Sequence, residues 1–336
     1  MTHQGSKTRA VASAISIGLI GCAALATATG APARGDVIQS HIHVYSDGLN
    51  MTVNVTELGD TFDQDFRVVG AGQSDPTIFV ESKLENHGVS AGGDCELIND
   101  YYAACPVALG VTVRGGAKDD DINLGLSGEY AVASVVRGRG GNDGLNADFS
   151  STPDELYGGR GNDSISGGLG RDLINGGPGT DSVDYGRVGR SQPVHVTANE
   201  GPGDDGSSED GPPGSRDTVV NIENVYGTFD GGDYLSNGAA SGILHGSGLG
   251  RAGDDTGDDR LIGGPGRDRL VGDRGDDLLV GGDGADAFLG GAGNDTLRAR
   301  DQTDDSSINC GDGNDDRVVF DRGLDPRPRH CEGGAA

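Results

Sequence analysis

Aspartate recurs at an interval of nine residues in two stretches of this chain, always as the sixth residue of a nine whose fourth residue is glycine. A carboxylate is a hard oxygen ligand of the kind that Ca²⁺ prefers, and aspartate is short enough to present it from a tight turn. We therefore expect these eight residues to be metal ligands: Asp163, Asp172 and Asp181 in the first stretch, and Asp259, Asp268, Asp277, Asp286 and Asp295 in the second.

The residues around each aspartate predict the element that carries it. The first block, Gly158–Asp184, reads GGRGNDSIS, GGLGRDLIN, GGPGTDSVD; the second, Asp254–Arg298, reads DDTGDDRLI, GGPGRDRLV, GDRGDDLLV, GGDGADAFL, GGAGNDTLR. The eighth residue is always large and apolar: Ile165, Ile174, Val183, Leu261, Leu270, Leu279, Phe288 and Leu297. Glycines permit the turn, and the last three residues form a short strand with one inward side chain. Stacked nines therefore predict a parallel β-helix with an apolar column inside.

The pattern G-G-x-G-x-D-x-U-x closely resembles the RTX, or hemolysin-type, calcium-binding repeat. Six copies of GGxGxD are present, and a disordered Gly/Asp-rich linker would have no reason to keep an apolar eighth residue. The resemblance is strong over the two blocks and weaker over the rest of Gly115–Glu332. It implies an all-β fold, a parallel β-roll (right-handed β-helix) preceded by a small β-rich N-terminal region, with several Ca²⁺ ions as cofactors.

The resemblance also implies a pairing of ligands. In the RTX β-roll two nines make one turn, so aspartates eighteen apart would share an ion, completed by glycine carbonyls: Asp163 with Asp181, Asp259 with Asp277, Asp268 with Asp286, and Asp277 with Asp295. Asp277 belongs to two of these pairs, so Asp277→Ala should weaken calcium binding more than the loss of any other of these aspartates. Asp172 lacks a clear partner, because position 190 is Arg190 and Asp154 lies in a disrupted turn. Its site should be weaker or absent.

Composition narrows the class of function. The formal charge of −28 and the pI near 4.3 disfavour nucleic acid and anionic membranes as partners and favour cations. Neither the H-E-x-x-H nor the G-x-S-x-G signature is present, so we expect a calcium-binding protein rather than an enzyme. A surface or matrix adhesion or spacer module is the alternative, and an enzyme with its site in 36–113 is a weaker one. The protein or surface partner is not specified by the sequence.

The N-terminus and the cysteines predict export. Residues 1–33 have a weakly basic start, an apolar run and an A-x-A-like end at Ala31–Ala33, with Ala26–Ala28 as a second cleavage site. We expect a secreted protein; Leu19–Cys22 resembles a lipobox, so the alternative is a lipoprotein anchored through Cys22. Of the three pairings open to the other four cysteines, the simplest is Cys95–Cys105 with Cys310–Cys331.

The rest of the chain divides into two regions. Residues 34–113 are β-rich, with a hairpin turning at Asp47–Gly48; His41 and His43 are spaced for a metal, but a polar outer face explains them better. Residues 114–336 form the RTX-like roll, with decayed nines from Gly115 and an insertion at Tyr130–Val136. A mobile acidic loop is expected near 199–217, and repeats that have lost their aspartates at Gly227–Gly253.

Overall fold

The computed structural model contains strands and turns without helices over the part of the chain that it describes. That part comprises residues 40–46, 50–57, 64–70, 77–82, 87–93, 95–99, 102–106, 110–125, 132–147, 151–187, 190–229, 231–238, 240–249 and 256–335. Side chains are described from residue 95 onward within these ranges, except those of Asn99, Tyr102, Pro106 and residues 334–335. The predicted signal peptide, the lipobox cysteine and the side chains of His41 and His43 lie outside the described residues. None of the described residues belongs to a helix that could span a membrane.

The N-terminal strands are continuous with the sheets of the repeats. They are β1 (Ser40–Ser46), β2 (Asn50–Glu57), β3 (Gln64–Gly70), β4 (Thr77–Ser82), β5 (His87–Gly93), β6 (Glu96–Asn99), β7 (Tyr102–Pro106) and β8 (Gly110–Arg114). Strands β1 and β2 are antiparallel, with Ser46 opposite Met51, which confirms the strand pairing of the predicted hairpin; its turn at Asp47–Gly48 lies outside the described residues. Strand β2 also pairs in parallel with β8. The boundary between 113 and 114 stays a prediction, because the sheet crosses it without interruption.

The chain then alternates between two parallel sheets, which we name A and B. The next strands are β9 (Asp120–Gly125), β10 (Ser134–Gly140), β11 (Gly144–Asn146), β12 (Glu155–Arg160), β13 (Ser164–Ser166), β14 (Leu173–Asn175) and β15 (Ser182–Asp184). Even-numbered strands from β8 to β14 lie in sheet A, and odd-numbered ones from β9 to β15 lie in sheet B. The expected insertion at Tyr130–Val136 is wrong for its last residues: they form β10, and Val136 is buried.

Sheet A ends and a third sheet, C, begins in the middle of the chain. The strands here are β16 (His195–Thr197), β17 (Thr218–Val220), β18 (Asn224–Tyr226), β19 (Tyr234–Ser236) and β20 (Ile243–His245). Strand β17 is the last of sheet A, whereas β16 is the first of sheet C. The carboxylate of Asp205 joins them, because it accepts the backbone N–H groups of Thr197 at 2.7 Å and Val219 at 3.0 Å. Sheet B continues past this junction.

The acidic segment near 199–217 is packed against the coils. Asp205 is fully buried, and Asp210 and Asp217 are nearly so. Backbone bridges join His195 to Gly206 and Asp205 to Asp217. The expectation of a mobile loop, drawn from Gly, Pro and Ser content, missed these anchors because each is a single aspartate in a polar stretch.

The second half of the roll alternates between sheets B and C. Its strands are β21 (Arg260–Pro265), β22 (Arg269–Arg274), β23 (Leu278–Asp283), β24 (Ala287–Ala292), β25 (Thr296–Ala299), β26 (Ser307–Asp312), β27 (Arg317–Phe320) and β28 (Gly333–Ala335). The eight predicted inward residues are confirmed, since none is more than 2% exposed. Together the coils form a parallel β-solenoid of about ten turns.

Both predicted disulfides are confirmed, Cys95–Cys105 and Cys310–Cys331. The first joins β7 to the residue before β6, in the N-terminal strands. The second ties the end of the chain to β26, where Cys310 is fully buried and its backbone N–H donates to the carbonyl of Arg329 at 3.0 Å. This bridge therefore holds the C-terminal segment over the last strand of sheet B.

Candidate metal centre

The aspartates at the sixth position stack in the turns that lead into the strands. The Oδ1 atom of each accepts the backbone N–H of the corresponding residue one coil earlier. The four pairs expected at a separation of eighteen all have this geometry: Asp163–Asp181 and Asp259–Asp277 at 2.8 Å, and Asp268–Asp286 and Asp277–Asp295 at 2.9 Å. Adjacent coils therefore bring these carboxylates together, while their sharing of an ion stays a prediction.

The stacks are longer than the nine-residue period indicates. We name them ladders by the sheet whose strands they precede, and each is held by the same N–H to carboxylate bond. The A ladder is Asp154, Asp172 and Asp217; the C ladder is Asp233, Asp259, Asp277, Asp295 and Asp316. The B ladder is Asp120, Asp143, Asp163, Asp181 and Glu223, then, after Gly242, Asp268, Asp286, Asp305 and Asp325.

Two aspartates have ladder neighbours that differ from those expected, while the weaker site at Asp172 and the effect of losing Asp277 stay predictions. Asp172 does have ladder partners: its Oδ1 accepts the N–H of Asp154 at 2.9 Å, and its own N–H donates to Asp217 at 2.9 Å. The second partner is 45 residues away, because the acidic segment is inserted within that coil. Asp277 is not alone in having a ladder neighbour on each side. Asp295, for example, accepts from the N–H of Asp277 and donates its own N–H to Asp316.

The expectation that Gly227–Gly253 has lost its aspartates is also wrong in part. Asp233 occupies a regular place in the C ladder: it accepts from the N–H of Val194 at 2.8 Å and donates to Asp259 at 2.7 Å. In the B ladder Gly242 stands where an aspartate would be, and it donates to Asp268 at 2.9 Å. One of the two edges of this coil therefore keeps its carboxylate.

The second carboxylate oxygen of many ladder residues has no hydrogen-bond partner although it is buried. This holds for Oδ2 of Asp143, Asp163, Asp172, Asp181, Asp268, Asp286, Asp295, Asp305 and Asp316. A buried, unpartnered carboxylate oxygen is costly unless it is hydrogen-bonded or coordinates a cation. Unpartnered carboxylate oxygens therefore recur along the edges of the roll, where a cation would find oxygen donors.

The environment of these carboxylates resists ionisation. Burial is the main cause, and it raises the pKa of Asp143 to about 8, of Asp305 to about 7, and of Asp181 and Asp286 to about 6. Neighbouring carboxylates add to this, whereas the ladder hydrogen bond from the adjacent coil lowers the pKa. Ionised ladders thus need a compensating positive charge.

The glycines of the repeat leave room for these oxygens. A Cβ at Gly290, the first glycine of its nine, would overlap both Oδ2 of Asp295 and the carbonyl oxygen of Cys310. Gly293, the fourth residue, has φ of 147°, and a Cβ there would overlap the carbonyl oxygen of Gly275 in the preceding coil. The turns therefore bring backbone carbonyl oxygens close to the carboxylates.

A second, outer row of polar side chains was missed by the sequence analysis. The fifth residue of several nines accepts the N–H of its counterpart in the next coil: Asn142 accepts from Asn162 at 2.8 Å, and Asp276 accepts from Asn294 at 2.7 Å. The signal was the repeated Asn or Asp in front of the sixth-position aspartate. This outer row joins neighbouring turns without using the buried oxygens.

The donor set fits calcium. Within the described residues no three His, Cys, Asp or Glu side chains cluster as a metal site. Orphaned Oδ2 atoms next to glycine carbonyls supply hard oxygen ligands from backbone and side chain together, which is the donor chemistry of Ca²⁺. Thiolate or imidazole ligands, which zinc would favour, are not part of these turns.

Comparison with known proteins agrees with this geometry. The RTX calcium-binding nonapeptide repeat family matches four times, over residues 150–183, 249–279, 262–297 and 280–316. The gap between the first and second copies contains the acidic segment and the change from sheet A to sheet C. No curated protein matches the chain. Between residues 150 and 316 the chain therefore carries RTX calcium-binding nonapeptide repeats, folded as a parallel β-solenoid.

Proposed function

We propose that this protein is a secreted calcium-binding protein whose roll folds when its turns bind Ca²⁺. The ligands we propose are Asp163, Asp181, Asp259, Asp268, Asp277, Asp286 and Asp295, with glycine carbonyls of the same turns. The orphaned Oδ2 atoms of Asp163, Asp181, Asp268, Asp286 and Asp295 are the observation that carries this proposal, and Asp259 and Asp277 are included because they hold the same ladder positions. Asp172 is not included, because the coil that follows its turn is not a regular repeat.

Coupling of binding to folding follows from charge. The ladders align carboxylates from coil to coil within a chain whose formal charge is −28. Their raised pKa values mean that ionising them in the folded state costs free energy. Bound Ca²⁺ would supply the opposite charge, and at 10 to 100 times its dissociation constant each site would add about 1.4–2.7 kcal/mol to stability.

Calcium titration followed by circular dichroism tests this proposal. We expect residues 254–298 to be largely unordered in chelator and to gain strand signal with millimolar calcium. Magnesium should do little, because it demands a tighter octahedral shell. Strand content that is the same in chelator and in calcium would contradict folding on binding.

A calcium-stiffened spacer is the second candidate, with a partner site in the N-terminal strands. The observation that favours it is the continuity of the sheets: β2 pairs with β8, and β3 pairs with β9, so the N-terminal strands extend the roll. An enzyme site within 36–113 remains an alternative prediction, since most side chains of that region lie outside the described residues.

Localisation is part of the proposal. Two disulfides suit an oxidising compartment, which supports export. N-terminal sequencing and the intact mass of the exported protein would separate the two routes. Cleavage after Ala33 or Ala28 supports a secreted protein, whereas a lipid on Cys22 supports a membrane-anchored one.

A further inference from the structure

Arg190 lies inside the molecule, in the segment between β15 and β16. Its side chain is 1% exposed, and within the described residues it is the one lysine or arginine that is buried. Burial of a guanidinium is unfavourable unless its charge is matched by nearby carboxylates and hydrogen-bond acceptors. We therefore expect carboxylates and hydrogen-bond acceptors close to the Arg190 guanidinium.

The guanidinium joins the Asp172 turn to the acidic segment. One terminal nitrogen contacts Oδ2 of Asp210 at 2.6 Å and the hydroxyl of Ser207 at 3.2 Å. The other donates to the carbonyl oxygen of Gly168, the second glycine of the Asp172 turn. The guanidinium carbon lies 5.0 Å from the centre of the Tyr185 ring. The guanidinium is thus hydrogen-bonded to a carboxylate, a hydroxyl and a backbone carbonyl of the turn.

The acidic segment takes the place that the next turn has in a regular coil. In regular coils the N–H of the fourth-position glycine donates to a carbonyl of the following turn, as Gly275 does to Ala292 at 3.0 Å. Gly170, the fourth residue of the Asp172 nine, instead has Oδ1 of Asp210 as its acceptor at 3.3 Å. Arg190 therefore lies between the Asp172 turn and the layer that covers it.

Buried carboxyl groups surround the turn that Arg190 contacts. Asp172 is linked to Asp217 through its N–H, and Asp217 also accepts from the hydroxyl of Tyr185 at 3.1 Å. Together with Asp210 this places three buried carboxyl groups around the turn. Burial and mutual repulsion raise the pKa of Asp172 and Asp217, and Arg190 acts in the opposite direction on Asp217.

We propose that the Arg190 guanidinium is a built-in cation that replaces Ca²⁺ at the Asp172 turn, so that this coil folds without calcium. The inference rests on the proposed calcium-dependent folding of the other turns. It assigns Asp172 to an internal ion cluster rather than to a calcium site. The two successive coils that contain β14 and β17 would then be a preformed template for the calcium-dependent coils after them.

Hydrogen exchange of the full-length, disulfide-bonded protein, read by mass spectrometry, tests this inference. In chelator, peptides covering 167–175 and 205–220 should be protected, while those covering 254–298 should exchange rapidly. Arg190→Gln should abolish the first protection in chelator, with roughly 100-fold faster exchange, because removing one partner of a buried ion pair is strongly destabilising. Saturating calcium should restore it in this variant, with one more ion bound than in the parent.

Two further variants make the outcome decisive. Arg187→Gln removes a neighbouring arginine that is 44% exposed and paired with Asp184 at 3.3 Å, and it should leave exchange in chelator unchanged. Arg190→Lys keeps a positive charge and should retain partial protection. The inference is wrong if 167–175 is unprotected in the parent in chelator, or if calcium fails to restore Arg190→Gln. Failure of the proposed function has a different result: hydrogen exchange of peptides covering 254–298 would then be the same with and without calcium in every variant.

Discussion

Asp295→Asn should destabilise the roll in calcium and should not destabilise it in chelator. Asp295 is fully buried; its Oδ1 accepts from Asp277 at 2.9 Å and its Oδ2 is unpartnered. Asparagine keeps the shape and the Oδ1 acceptor but removes the charge. The substitution therefore separates the role of the carboxylate as a ligand from its role in the ladder hydrogen bond.

The magnitudes follow from the local electrostatics. Burial, together with Asp316 and Asp276, raises the pKa of Asp295 from 3.8 to about 6. This corresponds to a cost of about 3 kcal/mol for the ionised group, which solvent near the turn reduces to about 1–2 kcal/mol. In chelator, where we expect residues 254–298 of the parent to be largely unordered, the variant should be at least as ordered as the parent, because it does not carry this cost. In calcium it should lose about 3–5 kcal/mol, since two neighbouring sites would each lose a ligand.

Urea unfolding followed by circular dichroism, in chelator and in millimolar calcium, measures both values. Asp283→Asn is the matched control: Asp283 is exposed at the third position of its nine, and its substitution should be nearly neutral in both conditions. An Asp295→Asn variant that is destabilised equally in chelator and in calcium would refute the reasoning. The carboxylate would then be a structural acceptor and nothing more.

Three other changes have defined outcomes. In chelator, the free energy of unfolding should fall as pH rises from about 4 to 8. The reason is that carboxyls with folded pKa values of about 6 to 8, such as those of Asp286 and Asp143, keep protons that the unfolded chain has released. Urea unfolding at pH 5 and pH 8 measures this difference. Gly158→Ala should lower the free energy of unfolding by about 1–3 kcal/mol, because its Cβ would overlap Oδ2 of Asp163 and lie 2.6 Å from the carbonyl oxygen of Gly176. Gly144→Ala is the control: the atom nearest to its Cβ would be 3.4 Å away, so it should be tolerated in the same assay. Replacing both Cys310 and Cys331 by alanine should cost about 3 kcal/mol, given a loop of 21 residues, and should speed hydrogen exchange at β26; an unchanged rate would contradict this.

The inward column and the pairing at eighteen residues were predictable because they repeat without interruption. A period of nine fixes both the strand and the turn, so Leu261 and Leu279 had to lie in neighbouring coils once the roll was assumed. Irregular coils hid the rest. Asp120 and Asp143 are 23 residues apart, and Asp233 and Asp259 are 26 apart, yet each pair makes the same ladder bond. Extra residues can leave the coil as a loop while the strand returns to register, so spacing alone does not reveal these partners.

The change from sheet A to sheet C was not predictable from the repeat pattern. It depends on Asp205, one aspartate among many in a polar segment, whose carboxylate joins β16 to β17. The composition of this segment predicted a loop, because glycine, proline and serine are frequent there. What distinguishes Asp205 is burial, which is a property of the assembled coils. The same reason hid Arg190, whose position eighteen residues after Asp172 looked like the loss of a site.

Under the two proposals made above, Arg190 and bound Ca²⁺ neutralise buried carboxylates in different parts of the roll. Each ladder bond fixes Oδ1 on the neighbouring coil and leaves Oδ2 in the turn, so every added coil places another buried carboxylate oxygen in line with the previous ones. A covalently attached cation neutralises such a layer permanently, but it requires an inserted segment to deliver the side chain and to cover it, as Asp210 and Ser207 do here. A regular nine has no room for that segment. We therefore propose that a ladder built of regular nines is neutralised by cations from solution, and we expect its order to depend on their concentration.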